Sequence, residues 1–491
     1  MLSSVDTGGR SGLSSEVLGA IQRHSLISSG DRLVVAISGG PDSVALLLAL
    51  VELGDSLKLK ITAAHVNHQL RGEDAQKDEE FVQSFCQSQG VSLRVEWVNT
   101  AQVAQETGEN LENCARRVRY EFLFRVALEL EAAVATGHTL NDQAETFLMK
   151  LVRGAGPTGL SGIHPLRQNQ VSTVGGNIAI TVVRPLLEVS HAQILDYLSE
   201  KKQSYRRDRT NLDLRLDRNW VRHALIPLLQ EKLNPALLST LARTAGLFRE
   251  IEDFLLHNGV EAYEHCRAVG EPAGFHIEAL HKFPHIVQRE VIRLAIRSTK
   301  GDLRDISLKH VDEVLKLTRA CSGREIHLPG ELRARHEFGI LRLDVGFSPA
   351  PFSYLLKVPG QVQVEEIGKR VIARRSTESR QEAGSVRIRW SGDSLTIRSR
   401  KPGDRYCIST KSRVKKLKEL FQSQRIPKSQ RDRVVIVEAG GEIVWVEGFP
   451  PHPNYRAQGS VSSTLEIEVH SETFLSETAS KDLRNETKQQ E

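Results

Sequence analysis

The sequence predicts an α/β protein: a doubly wound parallel sheet, followed by a mainly helical middle domain and a small α+β C-terminal domain. Three observations carry this. Leu33 to Ile37 is an apolar run with β-branched residues, ended by Ser38-Gly39-Gly40-Pro41-Asp42-Ser43 and followed by the apolar run Val44–Val51, which reads as strand, tight turn and helix. Strand-like and helix-like stretches then alternate to Val152, the pattern of a parallel sheet covered on both faces. From Ala236 onward the apolar residues recur at threes and fours, as in helices with one buried stripe.

Residues 1–25 are expected to be disordered or a short helix, with Glu16–Ser25 amphipathic. After the Ser43–Leu53 helix come a strand at Ile61–Val66, a loop at Asn67–Gly72, a helix at Ala75–Gln87 and a strand at Ser92–Val98. Asn110 is placed to cap a helix over Leu111–Leu130, with a strand at Ala132–Thr136 and a helix at Asn141–Val152 beyond it. Gly154–Gly159 is too glycine-rich for a regular element. Val182–Leu187 reads as a strand, Ser190-His191-Ala192-Gln193 as a capping box opening a helix to Lys201, and Val221–Lys232 as a helix ended by Asn234-Pro235. Small β segments are expected at Arg324–Val345 and Tyr354–Arg374, an exposed linker at Ser376–Gly384, and strands near Ser394–Ser399, Val434–Glu438 and Ile443–Val446. The domains expected are therefore 26–232 (catalytic), 233–346 (helical, substrate-binding), 347–385 (β segment and linker) and 386–471 (basic), with a disordered tail at 472–491.

The formal charge is +5, but its distribution is uneven: Arg398 to Arg433 holds 13 Lys+Arg against 3 Asp+Glu, a net of +10 set against −5 elsewhere. Such a block is either a phosphate-binding footprint or a solvated face. The five cysteines are scattered without a Cys-x-x-Cys pair, which argues against a zinc ribbon or disulfide framework and for a reducing cytoplasm. No apolar run is long enough for a membrane span, and Met1–Ser15 lacks the apolar segment of a secretory signal.

In a doubly wound sheet, ligands bind beyond the carboxyl ends of the strands, so Ser38–Ser43, Asn67–Arg71 and Gly137–Asp142 should converge. The Gly-rich turn before a helix start is suited to phosphate. It is neither a Walker A nor a dinucleotide fingerprint. His65, Asn67 and His68 suit a polar lining for nucleotide and base, or a hydrogen-bonded turn; as a zinc pair the histidines lack companions. Asp142 reads either as the capping-box partner of Thr139 or as a magnesium ligand or base. Arg116 and Arg119 lie on one side of a helix start, against its dipole, where a polyanion would offset the cost.

Ser38–Ser43 resembles the pyrophosphate loop of the N-type ATP pyrophosphatases. The order of His65–Gly72, Asn110–Tyr120, Gly137–Thr146, Arg153–Gly156, Asp208–Arg222, Arg398–Arg405 and Lys415–Lys418 resembles the bacterial tRNA(Ile)-lysidine synthase family. The likeness is tight over 33–230 and good over 386–450. It implies a ligase that uses ATP and Mg²⁺ to join free L-lysine to C2 of the cytidine at the first anticodon position of tRNA(Ile) with a CAU anticodon, through an adenylated intermediate. Reading would change from AUG to AUA. On this resemblance the ATP site is Ser38, Gly39, Gly40, Pro41, Asp42, Ser43, His65, Asn67 and His138; the reaction falls to Asp42, Asp142, Arg116 and Arg119; the metal falls to Asp42 and Asp142. The tRNA falls to Arg71, Arg398, Arg400, Lys401, Arg405, Lys415, Lys416 and Lys418, and a homodimer is left open. The chain departs from the family at Asn141, where a second aspartate is frequent, and at Cys114, where a basic residue is common. The other readings are a tRNA thiolation enzyme, an amide-forming synthetase of the same superfamily, and a non-catalytic RNA-binding protein. The first two lack the expected cysteine motifs, and the third leaves Ser38–Ser43 and Asp142 unexplained.

Overall fold

The structure, a computed structural model, describes residues 12–70, 72–173, 176–206, 217–268, 273–346, 349–375, 385–410, 413–457 and 464–471. The chain divides into two compact units, Met1–Asp253 and Phe254–Glu491.

The first unit runs α1 (Gly12–Arg23), β1 (Arg32–Ala36), α2 (Pro41–Leu57), β2 (Lys60–Asn67), α3 (Glu73–Ser88), β3 (Ser92–Trp97), α4 (Thr100–Thr107), α5 (Leu111–Leu130), β4 (Ala133–Ala135), α6 (Leu140–Val152), α7 (Pro157–Leu160), β5 (Leu166–Thr173), β6 (Gly176–Val183), α8 (His191–Glu200), α9 (Asp217–Trp220) and α10 (Ile226–Lys232). One sheet has the order β3-β2-β1-β4-β6-β5. All neighbours are parallel except the β5–β6 hairpin. Because side chains alternate along a strand, Leu33 and Val35 face one layer and Val34 the other. The first layer packs α1, α2 and α8 through residues such as Leu46, Leu50, Ile21 and Leu198; the second packs α5 through Phe122, Leu123 and Val126. The doubly wound sheet is thus as expected.

Several local expectations change, among them Gly154–Gly159, whose last residues enter the short helix α7. Strand β6 ends at Val183, and Arg184–Glu188 forms turns. Pro185 has no N–H for a ladder, and Leu186 and Leu187 are apolar because the turn itself is buried. The β5 strand and helix α4 were not expected, since their polar composition hides the period. Finally, the helix expected at Val221–Lys232 is regular only from Ile226; Val221–Leu225 is a π turn closed by Ile226 N–H to Val221 O. Pro227 lacks an N–H and its ring would clash with the carbonyl four residues back, so the wider turn relieves it.

In the second unit, which begins within α11 (Leu237–Cys266), β7 (Gly274–His276), α12 (Ile277–Leu280), α13 (His285–Lys300), α14 (Leu308–Thr318), β8 (Glu325–Leu328), β9 (Leu332–Glu337) and β10 (Ile340–Val345) share one core. Beyond it stand β11 (Ser353–Lys357), β12 (Gly360–Val364), β13 (Lys369–Arg375), β14 (Ser385–Arg389), β15 (Ser394–Arg398), β16 (Arg405–Tyr406), β17 (Lys415–Lys416), α15 (Leu417–Ser423), α16 (Lys428–Arg431), β18 (Ile436–Ala439), β19 (Glu442–Val446) and β20 (Thr464–Ser471). Residues 353–375 are not a separate segment. β11 pairs with β15 and β13 with β20, and Leu356, Val371, Ile397 and Ile467 share one core. The long-range pairing of β strands is what a local reading cannot see. The linker expected at Ser376–Gly384 lies outside the described residues, as do residues 1–11 and 472–491.

Candidate active site

The loop after β1 is built by its small residues. Gly39 has φ +83°, a left-handed conformation that a side chain resists. The Ser43 hydroxyl donates to Gly40 O at 3.0 Å and accepts the Ser38 N–H at 3.2 Å, closing the turn. Pro41 opens α2, where its missing N–H is no loss. Gly137 lets the β4–α6 turn approach this loop: a Cβ there would lie 3.1 Å from the Asp42 carbonyl.

Beyond the carboxyl ends of β1, β2 and β4 these turns enclose a cavity of about 500 Å³. Ser38, Asp42 and Ser43 line it from the loop, and Gly137, His138 and Asp142 from the β4–α6 turn. Arg116 and Arg119 reach it from α5, with guanidinium carbons 5.2 and 5.6 Å from the Tyr120 ring centroid. His68, Arg218 and Arg222 complete it. The β1 and β4 turns therefore converge as expected.

The β2 loop does so only in part. His65 is buried beneath the cavity, its Nδ1 2.8 Å from Ile37 O. Asn67 turns away, donating to Glu79 Oε2 at 2.9 Å in a separate groove beside Trp97. Strand alternation sends these side chains elsewhere, so neither lines the cavity. Arg71 lies outside the described residues.

Asp142 holds both roles of a cap and of an ion-pair partner. Its Oδ2 accepts from Thr139 N–H at 2.8 Å and Thr139 Oγ1 at 3.0 Å; its Oδ1 accepts from Arg218 Nη2 at 2.9 Å and Arg222 Nη2 at 3.1 Å. Burial, the largest influence, pushes this carboxyl up, but Arg218, His138, the Thr139 amide and Arg222 outweigh it and hold it below the ordinary carboxylate range. A carboxylate so engaged has both oxygens taken by protein donors, which makes it a weaker candidate than Asp42 for a metal. Glu145, one helical turn further and fully buried, takes the same two arginines: Arg218 Nε donates at 2.7 Å and Arg222 Nε at 2.5 Å. Sequence reasoning missed Arg218, Arg222 and Glu145 as site residues. Their matched spacings, four apart and three apart, were the available signal.

Asp42 is differently placed. Its Oδ1 lies 2.8 Å from His191 Nδ1, an ion pair that draws the imidazole above its usual range, chiefly through the Asp42 hydrogen bond, against burial. Among the described residues no hydrogen bond reaches Asp42 Oδ2. His138 is pushed down to about 3 by burial, against the pull of Asp142 and with Arg184, Arg119 and Arg116 adding to the fall. Burial also lowers the Arg119 guanidinium, and Arg116 and Arg218 add to it. The cavity is thus an enclosure of crowded cations with neutral histidines, which a polyanion would relieve.

In the C-terminal block, exposure separates two kinds of cation. Arg398 is only 4% exposed and grips Asp404 bidentately at 2.9 and 3.1 Å and Glu438 at 2.6 Å, so it is internal and cannot meet a tRNA. Arg400 is half-buried and pairs with Asp432 at 2.7 Å. Lys401, Arg405, Lys415, Lys416 and Lys418 are exposed. Helix α15 begins only at Leu417; Lys415 and Lys416 form β17, and Lys416 stands directly opposite Arg405. Arg398→Ala is expected to lower the stability of this domain by about 3 kcal/mol, because two carboxylates lose their partner. Arg405→Ala should change it by less than about 0.5 kcal/mol. Urea unfolding of the two variants checks the contrast.

Residues 14–229 match the PP-loop domain family, 275–338 the TilS substrate binding domain and 395–466 the TilS substrate C-terminal domain. A protein of Clostridium acetobutylicum named tRNA(Ile)-lysidine synthase is 31% identical over 93% of this chain and 99% of its own length. Relatives of the same name from Caldanaerobacter subterraneus and Solibacter usitatus are 32% and 35% identical, over 94% and 88% of this chain and 99% and 96% of their own. The chain belongs to the tRNA(Ile)-lysidine synthase family.

Asn141 and Cys114 each have a local structural role. Asn141 Oδ1 accepts the His191 N–H at 2.9 Å, joining the first turns of α6 and α8. Cys114 is fully buried against Ala104 and Val118, where α5 meets α4. Arg117, the third arginine of that helix start, is spent on Glu109 and Glu121. An Asp142→Asn variant keeps the cap acceptor but loses the charge that holds Arg218 and Arg222. It is expected to lose about tenfold or more in turnover while unfolding within about 2 kcal/mol of the parent. Full activity would reduce Asp142 to a cap; steady-state AMP release beside thermal unfolding decides it.

Proposed function

We propose that the chain is an ATP-dependent ligase that joins free lysine to C2 of the cytidine at the first anticodon position of a tRNA(Ile) with a CAU anticodon. The observation that carries the reading is the cavity itself: a pyrophosphate-type loop, Asp42 and a ring of arginines at the carboxyl ends of parallel strands, in a chain of this family.

The cytidine O2 attacks the α-phosphorus of ATP, forming an O–P bond as pyrophosphate leaves. The lysine side-chain amine then attacks C2, the C2–O bond breaks with AMP as the leaving group, and the amine proton passes to water or a base. The loop N–H groups and the start of α2 bind phosphate oxygens, while Arg116 and Arg119 face the charge that develops on them. Mg²⁺ would supply charge neutralisation on the phosphates. Asp42, whose Oδ2 receives no hydrogen bond among the described residues, fits such an ion better than Asp142. Among the described residues no cluster of three metal-type side chains occurs, so most of the ion's ligands would come from ATP and water. An anticodon loop is single-stranded, so its base can leave the stack to enter the cavity. The exposed Lys401, Arg405, Lys415, Lys416 and Lys418 would grip the tRNA backbone. No helix among the described residues is long and apolar enough to cross a membrane, in keeping with a cytoplasmic enzyme.

Thiolation is less well supported: no cysteine lines the cavity among the described residues, and burial pushes the Cys86 thiol up to about 11. Radiolabelled ATP tests the reading. AMP should form only when both the tRNA and lysine are present; formation without lysine, or none with both, would overturn it.

A further inference from the structure

Resting on that reaction, we propose that His68 is a specificity-determining residue that reads the exocyclic amino group of a nucleobase, accepting its N–H through Nε2. His68 lines the cavity just beyond β2 and is fixed from behind. Its Nδ1 lies 2.9 Å from Thr100 Oγ1, and the Thr100 N–H donates to the His68 carbonyl at 3.3 Å. Thr100 is fully buried, and its hydroxyl has an acceptor of its own in Val98 O at 3.4 Å. The 2.9 Å contact is compatible with either group as donor; in the proposed arrangement the hydroxyl donates to Val98 O and presents a lone pair to the imidazole. The ring proton then sits on Nδ1, and Nε2 is left as a bare acceptor.

The charges favour the same tautomer. Arg116 and Arg119 line the cavity with His68, and a lone pair facing cations is preferred to an N–H facing them. The ring also stays neutral: burial, then Arg119 and His65, push it down to about 4. A fixed acceptor that does not take up a proton suits recognition better than proton transfer.

Two groups in the proposed reaction offer the matching donor, the 6-amino group of adenine and the 4-amino group of the target cytidine. Hypoxanthine and uracil present a carbonyl oxygen at the corresponding position, which would oppose the Nε2 lone pair. The residue would thus favour amino bases over their oxo counterparts.

The test uses the full chain, His68→Ala, and Thr100→Val, which keeps side-chain volume but removes the hydroxyl that sets the tautomer. One arm compares equilibrium binding of ATP with purine riboside triphosphate, which lacks the 6-amino group. The other compares lysine-dependent AMP formation on transcripts carrying cytidine or 2-pyrimidinone ribonucleoside at the first anticodon position. The unsubstituted chain should prefer the amino ligand by about tenfold in one arm, and both variants should reduce that preference to near unity. Loss in the nucleotide arm assigns adenine, and loss in the tRNA arm assigns the cytidine. A preference absent from the parent in both arms, or retained by His68→Ala in both, overturns the proposal. Failure of the parent to make AMP on any transcript would sink the reaction itself, while the binding arm would still test His68.

Discussion

Asp42→Asn is expected to reduce tRNA- and lysine-dependent AMP formation by about 10³-fold or more, with tRNA affinity within about twofold of the parent. The substitution is mild for the fold. An asparagine oxygen can still accept from His191 Nδ1, which lies 2.8 Å from Asp42 Oδ1, and Pro41 still opens the helix. What is lost is the negative charge at the mouth of the phosphate loop, on a carboxylate whose Oδ2 receives no hydrogen bond among the described residues. Single-turnover assays with labelled ATP, run beside filter binding of the tRNA, separate the two effects. An equal fall in tRNA affinity would make Asp42 a structural residue.

The second large effect is expected from neutralising Lys415, Lys416 and Lys418 together. All three are exposed, and each sits where its charge is unfavourable within the protein. Lys415 and Lys416 adjoin along β17, Lys416 faces Arg405 across the ladder, and Lys418 lies in the first turn of α15, against its dipole. A phosphate backbone offsets all of these costs. Each lost phosphate contact lowers the slope of log affinity against log salt by about 0.7 to 0.9, so the triple variant should lose about two units. Nucleotide binding should be unchanged, since the cavity is lined by residues between Ala36 and Arg222. Filter binding across a salt series checks this, and an unchanged slope would leave the lysines as a solvated face.

The sequence by itself determined the parts whose physics is local. The apolar run before Ser38, the glycines after it and the proline at the helix start specify a phosphate-type turn through nearest-neighbour sterics. The Thr139–Asp142 capping box is likewise written within four residues. Alternation of short apolar runs with amphipathic stretches was enough for the doubly wound sheet. Because ligands collect at strand ends, it was also enough to bring Ser38–Ser43 and Gly137–Asp142 together.

Only the tertiary structure decided the partners of each charge. Nothing near Asp142 in the chain foretells that Arg218 and Arg222 fill its second oxygen, because those arginines arrive from α9 and the π turn that follows it, more than seventy residues on. Nothing near Arg398 foretells that Asp404 and Glu438 bury it, whereas Arg405, seven residues on, stays in solvent. Strand β2 sends His65 and Asn67 away from the cavity and leaves His68 in it, a choice set by pleat and register. The composition of a segment fixes how much charge it carries. Whether that charge meets a ligand depends on which opposite charges the folded chain brings within about 3 Å, and that is a long-range property.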